Sequence, residues 1–123
     1  MSSQSHKDLL VWQKSIALCT HVYKPCEAFP KSELYGLADQ MKRAAVSVAS
    51  NIAEGQARQQ LGEFLQFIST ANGSLAELDT QRIIAANLNL INPAANNSLD
   101  TEITEIRKML YVLRASLKAR KEN

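Results

Sequence analysis

The chain has 123 residues, of which 46% are hydrophobic and 21% charged, and a formal net charge of +2. That length suits one domain burying about two-thirds of its unfolded surface, and the composition excludes a disordered polar chain. So small a charge excess also excludes attachment to nucleic acid by overall charge alone, so any basic function rests on where the charges sit.

No segment sustains a period of two, and the apolar spacing is helical throughout. The first predicted helix covers about residues 8–24, capped by Asp8, with Leu9, Trp12, Ile16, Cys19 and Tyr23 on its core stripe. Pro25 and Pro30 bracket its exit. Cys19 and Cys26, if on one helix, stand about 10 Å apart along its axis, beyond disulfide reach, and read as reduced core thiols. The opening MSSQSHKDLLVWQK has no continuous apolar stretch and no small-residue cleavage signal, so a cytoplasmic protein is expected.

The second predicted helix covers about 33–54, with Ser32 as N-cap, Glu33 favourably placed against the dipole and Gly55 as C-cap. Leu34, Leu37, Met41, Ala45, Val48 and Ile52 mark its core face. Beside that face runs a polar stripe: Gln40, Arg43, Ser47, Asn51, Glu54 and Arg58. Solvent is the ordinary destination of such a stripe. Solvated helix faces, however, favour Lys, Glu and Gln, whereas this one carries Ser and Asn flanked by Ala44, Ala45, Ala49, Ser50 and Ala53. Small residues admit another backbone from more than one side. The expectation is a polar seam between the second and third helices or at a subunit contact, with Arg43 and Glu54 hydrogen-bonding across it.

A third helix is expected over 61–88, about 42 Å long, with Phe64, Leu65, Ile68, Ala71, Leu75 and Leu78 as its seam. Gly73-Ser74 in its middle suggests close packing, since a mid-helix glycine costs about 1 kcal/mol relative to alanine. The longest uncharged stretch, Ile83 to Leu99, is broken by Pro93 and several asparagines and cannot span a bilayer. The last helix, about 98–121 and capped by Asn97 or Ser98, spaces Ile103, Ile106, Leu110, Leu113 and Leu117 by threes and fours. Short connections favour antiparallel neighbours, so the fold expected over 1–123 is all-α: one up-down-up-down four-helix bundle.

No reaction chemistry stands out. The Glu-x-x-His pairs of di-metal bundles are absent, and Cys19, His21 and Cys26 lack the paired spacing of a zinc site. Gly55-Gln-Ala-Arg58 lacks the Gly-Lys-Ser/Thr ending of a phosphate loop, and no serine has a His/Asp context visible in sequence. No enzyme activity, cofactor, metal or small-molecule substrate is expected. The last helix does concentrate cations, and Arg107, Arg114, Lys118 and Lys121 share a stripe beside its leucine seam. Basic residues suit a helix C-terminus, and their stems cover a core edge. In an oligomer, however, the patch is multiplied, and each added phosphate contact strengthens binding to RNA or DNA. No helix-turn-helix, RRM-like or zinc-finger signature accompanies it.

DLLVWQKSIAL (8–18), FPKSELYGLADQMKRAAVSVASNIAEG (29–55) and EFLQFISTANGSLAELDTQ (63–81) together resemble the signature blocks of a bacterial family. It is the family of four-helix-bundle proteins named for intervening sequences in 23S ribosomal RNA genes. Val-Trp-Gln, Ser-x-x-x-Asn-Ile-Ala-Glu-Gly and Gly-Ser-x-x-Glu-Leu occur in order, whereas the last helix is similar only in type. The resemblance implies a homopentamer of antiparallel bundles, no established enzymatic activity and a loosely defined link to nucleic acid. It also implies a fold like that of the basic pentameric accessory proteins of diversity-generating retroelements. Gln60 and Asn72 stand where the family commonly has Ser and Arg, which removes a capping box with Glu63 and one positive charge. Two functions follow as expectations: a ring contacting RNA or DNA through basic surface, or a scaffold recruiting another protein.

Overall fold

The computed structural model describes residues 5–122, with side chains through residue 120. Four long helices dominate, with no strand among the described residues: α1 (Leu10–Cys26), α3 (Leu37–Ala57), α4 (Leu61–Asn87) and α5 (Pro93–Glu122). A 3-10 turn, His6–Asp8, precedes α1, and the single-turn α2 (Lys31–Leu34) precedes α3.

In α1 the expected core stripe is displaced by one residue. Val11, Ser15, Leu18, Val22 and Cys26 are buried, whereas Ile16 and Tyr23 stay exposed and Leu9, Trp12 and Cys19 only half-buried. Both stripes have helical spacing, and Ser15 disguises the one that wins. Its hydroxyl donates to the Val11 carbonyl at 2.7 Å, so the polar atom is satisfied within its own helix and the position can enter the core. Asp8 falls in the 3-10 turn and caps nothing in α1, whose N-cap is Leu9 without a side-chain bond. Pro25 continues the helix into its last turn. Cys26 is fully buried 3.8 Å from the Ala38 carbonyl of α3; burial pushes its thiol up to about 11, with Lys42 acting weakly in the opposite sense. Burial also raises Cys19.

The second predicted helix is broken at Tyr35–Gly36, and Ser32 lies inside α2 with no capping role. Beyond the break, α3 buries Met41, Ala45, Val48 and Ile52 as expected, and adds Ala38, Ala44, Ala49 and Gly55. Gly55 is therefore no C-cap. It sits inside α3, where an added Cβ would stand 2.6 Å from Phe67 Cβ and 3.0 Å from Phe64 Cδ1 of α4. The left-handed residue past the helix is Gln59, at φ 61°. Small side chains along α3 thus bring it against α4, its most extensive partner. As residue number falls from Gly55 to Ser47 along α3, its partner in α4 rises from Phe67 to Ser74. Gly73 itself meets nothing within 4 Å, so its expected close packing does not occur within the protomer.

Helix α4 keeps its expected bounds within a residue, with Ile68, Ala71, Leu75 and Leu78 buried. Helix α5 begins five residues earlier than expected. Pro93 takes the first helical position, where its missing N–H goes unneeded, and Asn92 Oδ1 accepts the Ala95 N–H at 2.8 Å. Asn97 and Ser98 are consequently interior to the helix. Leu99, Ile103, Ile106, Leu110 and Leu117 close the core against α1 and α4. No helix is long and apolar enough to cross a membrane among the described residues.

Candidate functional site

The last helix places Arg107, Tyr111, Arg114 and Lys118 at offsets of zero, four, seven and eleven, which at 100° per residue confines them to one arc of about 60°. Leu110 and Leu117, one residue back from two of these, are buried, so the row lies along the edge where α5 meets α4. There it lines a groove. Its upper hollow, about 470 Å³, is bounded by Arg107, Tyr111 and Arg114 with Ser69 and Asn72 of α4. Its lower hollow, about 320 Å³, shares Ser69 and Arg114 and adds Lys118 and Gln66. No carboxylate is among the described residues lining either hollow. Three of the four expected cations therefore share one acid-free groove; the side chain of the fourth, Lys121, lies outside the described residues.

Arg107 is held at the upper end, donating to Thr104 Oγ1 at 3.4 Å and standing 4.0 Å from Asp79 Oδ2. Asp79 leads to a cluster that sequence reading misses. Arg82, only 7% exposed, donates to Asp79 Oδ1 at 2.8 and 3.1 Å and to Asn96 Oδ1 at 2.7 Å, with Asp100 Oδ1 at 3.3 Å. It ties α4 to the start of α5. An Asp79-x-x-Arg82 pair is visible in sequence; its burial depends on Asn96 and Asp100 arriving from the next helix. Neighbouring Gln81 is also buried, with its Nε2 3.4 Å from Glu77 and its Oε1 unpartnered among the described residues.

The polar stripe on α3 separates into three parts. In the middle, Ser47 Oγ meets Ser74 Oγ of α4 at 2.8 Å, and Asn51 Nδ2 donates to the Ser47 carbonyl and hydroxyl at 2.8 and 2.9 Å. This is a seam between α3 and α4, and its partner on α4 is Ser74 of the Gly73-Ser74 pair. At one end Gln40 is exposed, and Arg43, 80% exposed, pairs with Asp39 on its own helix at 3.2 Å. At the other, Glu54 pairs with Arg58 at 3.0 Å, and Arg58 reaches Glu63 at 3.5 Å and covers the Phe67 ring. Arg43 and Glu54 therefore do not bond across the seam within the protomer. Each finds a nearer partner one helical turn away, and both heads remain hydrated.

His21 Nδ1 lies 2.7 Å from Glu102 Oε1, joining α1 to α5, as Lys14 and Glu105 do at 3.3 Å. Ser98 shares a hollow of about 190 Å³ with that His–Glu pair, a proximity invisible in sequence, although no hydrogen bond joins it to His21 among the described residues. Nor does any group of three or more His, Cys, Asp or Glu there stand close enough to hold a metal ion. A further hollow of about 470 Å³, almost wholly apolar, opens between α1 and α5 beside Leu10, Met109 and Val112.

The class so defined is an all-α bundle with a cation-lined groove between its last two helices. Residues 7–112 match the family model for the 23S rRNA-intervening sequence protein, and the chain belongs to that family. The match takes in α1 through Val112 of α5 and stops short of Arg114 and Lys118. A comparison with curated proteins found no match.

Proposed function

We propose that this protein is a non-enzymatic, self-assembling bundle of the cytoplasm that contacts RNA or DNA through the α4/α5 groove. The observation that carries the reading is the row Arg107, Arg114 and Lys118 facing an α4 wall of Ser69, Asn72 and Gln66. Cations beside neutral hydrogen-bonding groups attract phosphate; among the described residues no carboxylate lines the groove, and Asp79, beside Arg107, stands 4.0 Å off. No helix-turn-helix, RRM-like or zinc-finger signature accompanies the row in the sequence, so the contact is not to a fixed base sequence.

Self-assembly is supported by the apolar side chains left in water. Ile16 and Tyr23 of α1, Val46 of α3, Ile84 of α4 and Leu88 just past its end are all more than a third exposed. Residues 16 and 23 share one helical stripe, as do 84 and 88, and such stripes give a second copy apolar surface to pack against. The family resemblance supplies a homopentamer, its protomers running up-down-up-down. The opposed numbering of the Ser47–Ser74 and Gly55–Phe67 contacts supports that course for α3 and α4, as the Lys14–Glu105 and His21–Glu102 pairs do for α1 and α5. A ring repeats the groove once per subunit, which raises phosphate affinity by multivalency and not by one strong site.

Light scattering before and after nuclease treatment tests this directly, reporting subunit number and co-purifying nucleic acid together. Affinity for an oligonucleotide should fall steeply between low and moderate salt; a flat response would overturn the electrostatic contact. The scaffold reading is favoured by the apolar hollow at Leu10, Met109 and Val112, which suits a protein side chain better than a phosphate. Recovery of one protein partner, with no nucleic acid after nuclease, would select it.

A further inference from the structure

We propose that the α4/α5 groove takes single strands in preference to duplex, with Tyr111 as the platform on which a base stacks. The inference rests on the groove being a nucleic-acid contact. Tyr111 follows Arg107 by four residues and precedes Arg114 by three, so its ring interrupts the cation row on the same face of α5. It is 72% exposed, and no ring or cation lies over it among the described residues. An aromatic held in water beside two arginines, at the mouth of a hollow of about 470 Å³, has an open face and room for a planar partner.

The two forms of nucleic acid meet this row differently. Arg107 to Lys118 spans about 16 Å along α5, a single file of charge that follows one backbone. A duplex hides its base faces inside the stack, so Tyr111 would meet only phosphates, sugars or groove edges and gain little. A single strand splays its bases, every one of which has a face to lay on the phenol ring while Arg107 and Arg114 hold the flanking phosphates. Asn72 and Ser69, across the groove, then face the edge of the stacked base. Their amide and hydroxyl donate and accept without regard to base identity, so the preference is for strandedness and not for sequence.

The test is fluorescence anisotropy on the full chain with one mixed-sequence oligonucleotide, as RNA and as DNA, each alone and annealed to its complement. Variants Tyr111→Ala, Tyr111→Phe and Arg114→Ala accompany the parent; all alter exposed side chains, and circular dichroism verifies their folding. The expected result is single strands bound at least several-fold more tightly than duplex. Tyr111→Ala should weaken single-strand binding by roughly 5- to 150-fold, the range for losing one stacked base, while Tyr111→Phe retains it. Equal or tighter duplex binding, or a Tyr111→Ala effect below twofold while Arg114→Ala still weakens binding, overturns the single-strand inference and leaves the groove reading standing. Absence of binding to every probe overturns both.

Discussion

Gly55 and Gly73 make opposite demands on an added methyl group. Carbon–carbon contact is comfortable at about 3.5–4.0 Å. A Cβ at Gly55 would lie 2.6 Å from Phe67 Cβ, an atom one bond from the α4 backbone that cannot rotate aside. Gly55→Ala must therefore push α4 outward by about 1 Å or twist both helices, and overpacking of this kind costs roughly 1–3 kcal/mol. At Gly73 nothing lies within 4 Å, so the same substitution meets open space. Both sites lie within helices and neither glycine has a positive φ, so alanine gains about 1 kcal/mol of helix propensity at each. That gain cancels in the comparison. Gly73→Ala should thus be more stable than the parent, and Gly55→Ala less stable than Gly73→Ala by about 1–3 kcal/mol. Urea unfolding followed by circular dichroism, at one protein concentration for all three, measures the difference. Equal stability of the two alanine variants would refute the close approach of α3 to α4. Loss of stability in Gly73→Ala only at high concentration would mean that a neighbouring subunit covers that face.

Arg82→Ala strips a buried guanidinium from Asp79, Asn96 and Asp100 and should cost roughly 2–4 kcal/mol in the same unfolding experiment, since some of these partners regain water. Asn92→Ala removes the cap on the Ala95 N–H and should cost about 1 kcal/mol, with faster hydrogen exchange confined to the first turn of α5. Cys26, raised from its ordinary 9.0 to about 11 by burial, stays protonated while an unfolded chain would ionise. Stability should accordingly be unaffected below pH 9, fall from about pH 9 to 11 and then level, a component that Cys26→Ala abolishes. At pH 8 iodoacetamide should label Cys26 only after denaturation, as read by mass spectrometry.

Helix α4 was legible because its apolar spacing and its limits agree: Leu61 opens it, and Asn89, left-handed at φ 59°, lies just past its end. Helix α1 was misread because it has two apolar stripes, and spacing alone does not say which faces inward. The choice turns on a serine that satisfies itself, Ser15. The start of α5 was hidden because Pro93 reads as a break in the uncharged stretch, when Asn92-Pro93 is also a good beginning for a helix. Of the site, the cation row followed from periodicity along one helix. The groove it borders needed α4 beside it, and Tyr111 drew no notice because an aromatic near a leucine seam usually belongs to the core. Arg82 was illegible because its burial depends on Asn96 and Asp100 of another helix, and periodicity speaks only of one helix at a time.

The final turns of α5 separate two properties that proteins often entangle. After residue 112 the helix contributes Leu117 to the buried core and half of Leu113, while Arg114 and Lys118 project into the groove. Both cations are exposed, so neither belongs to the buried core. The proposed grip on a polyanion would thus be set at the tail like a dial, with the buried body of the bundle left as it was.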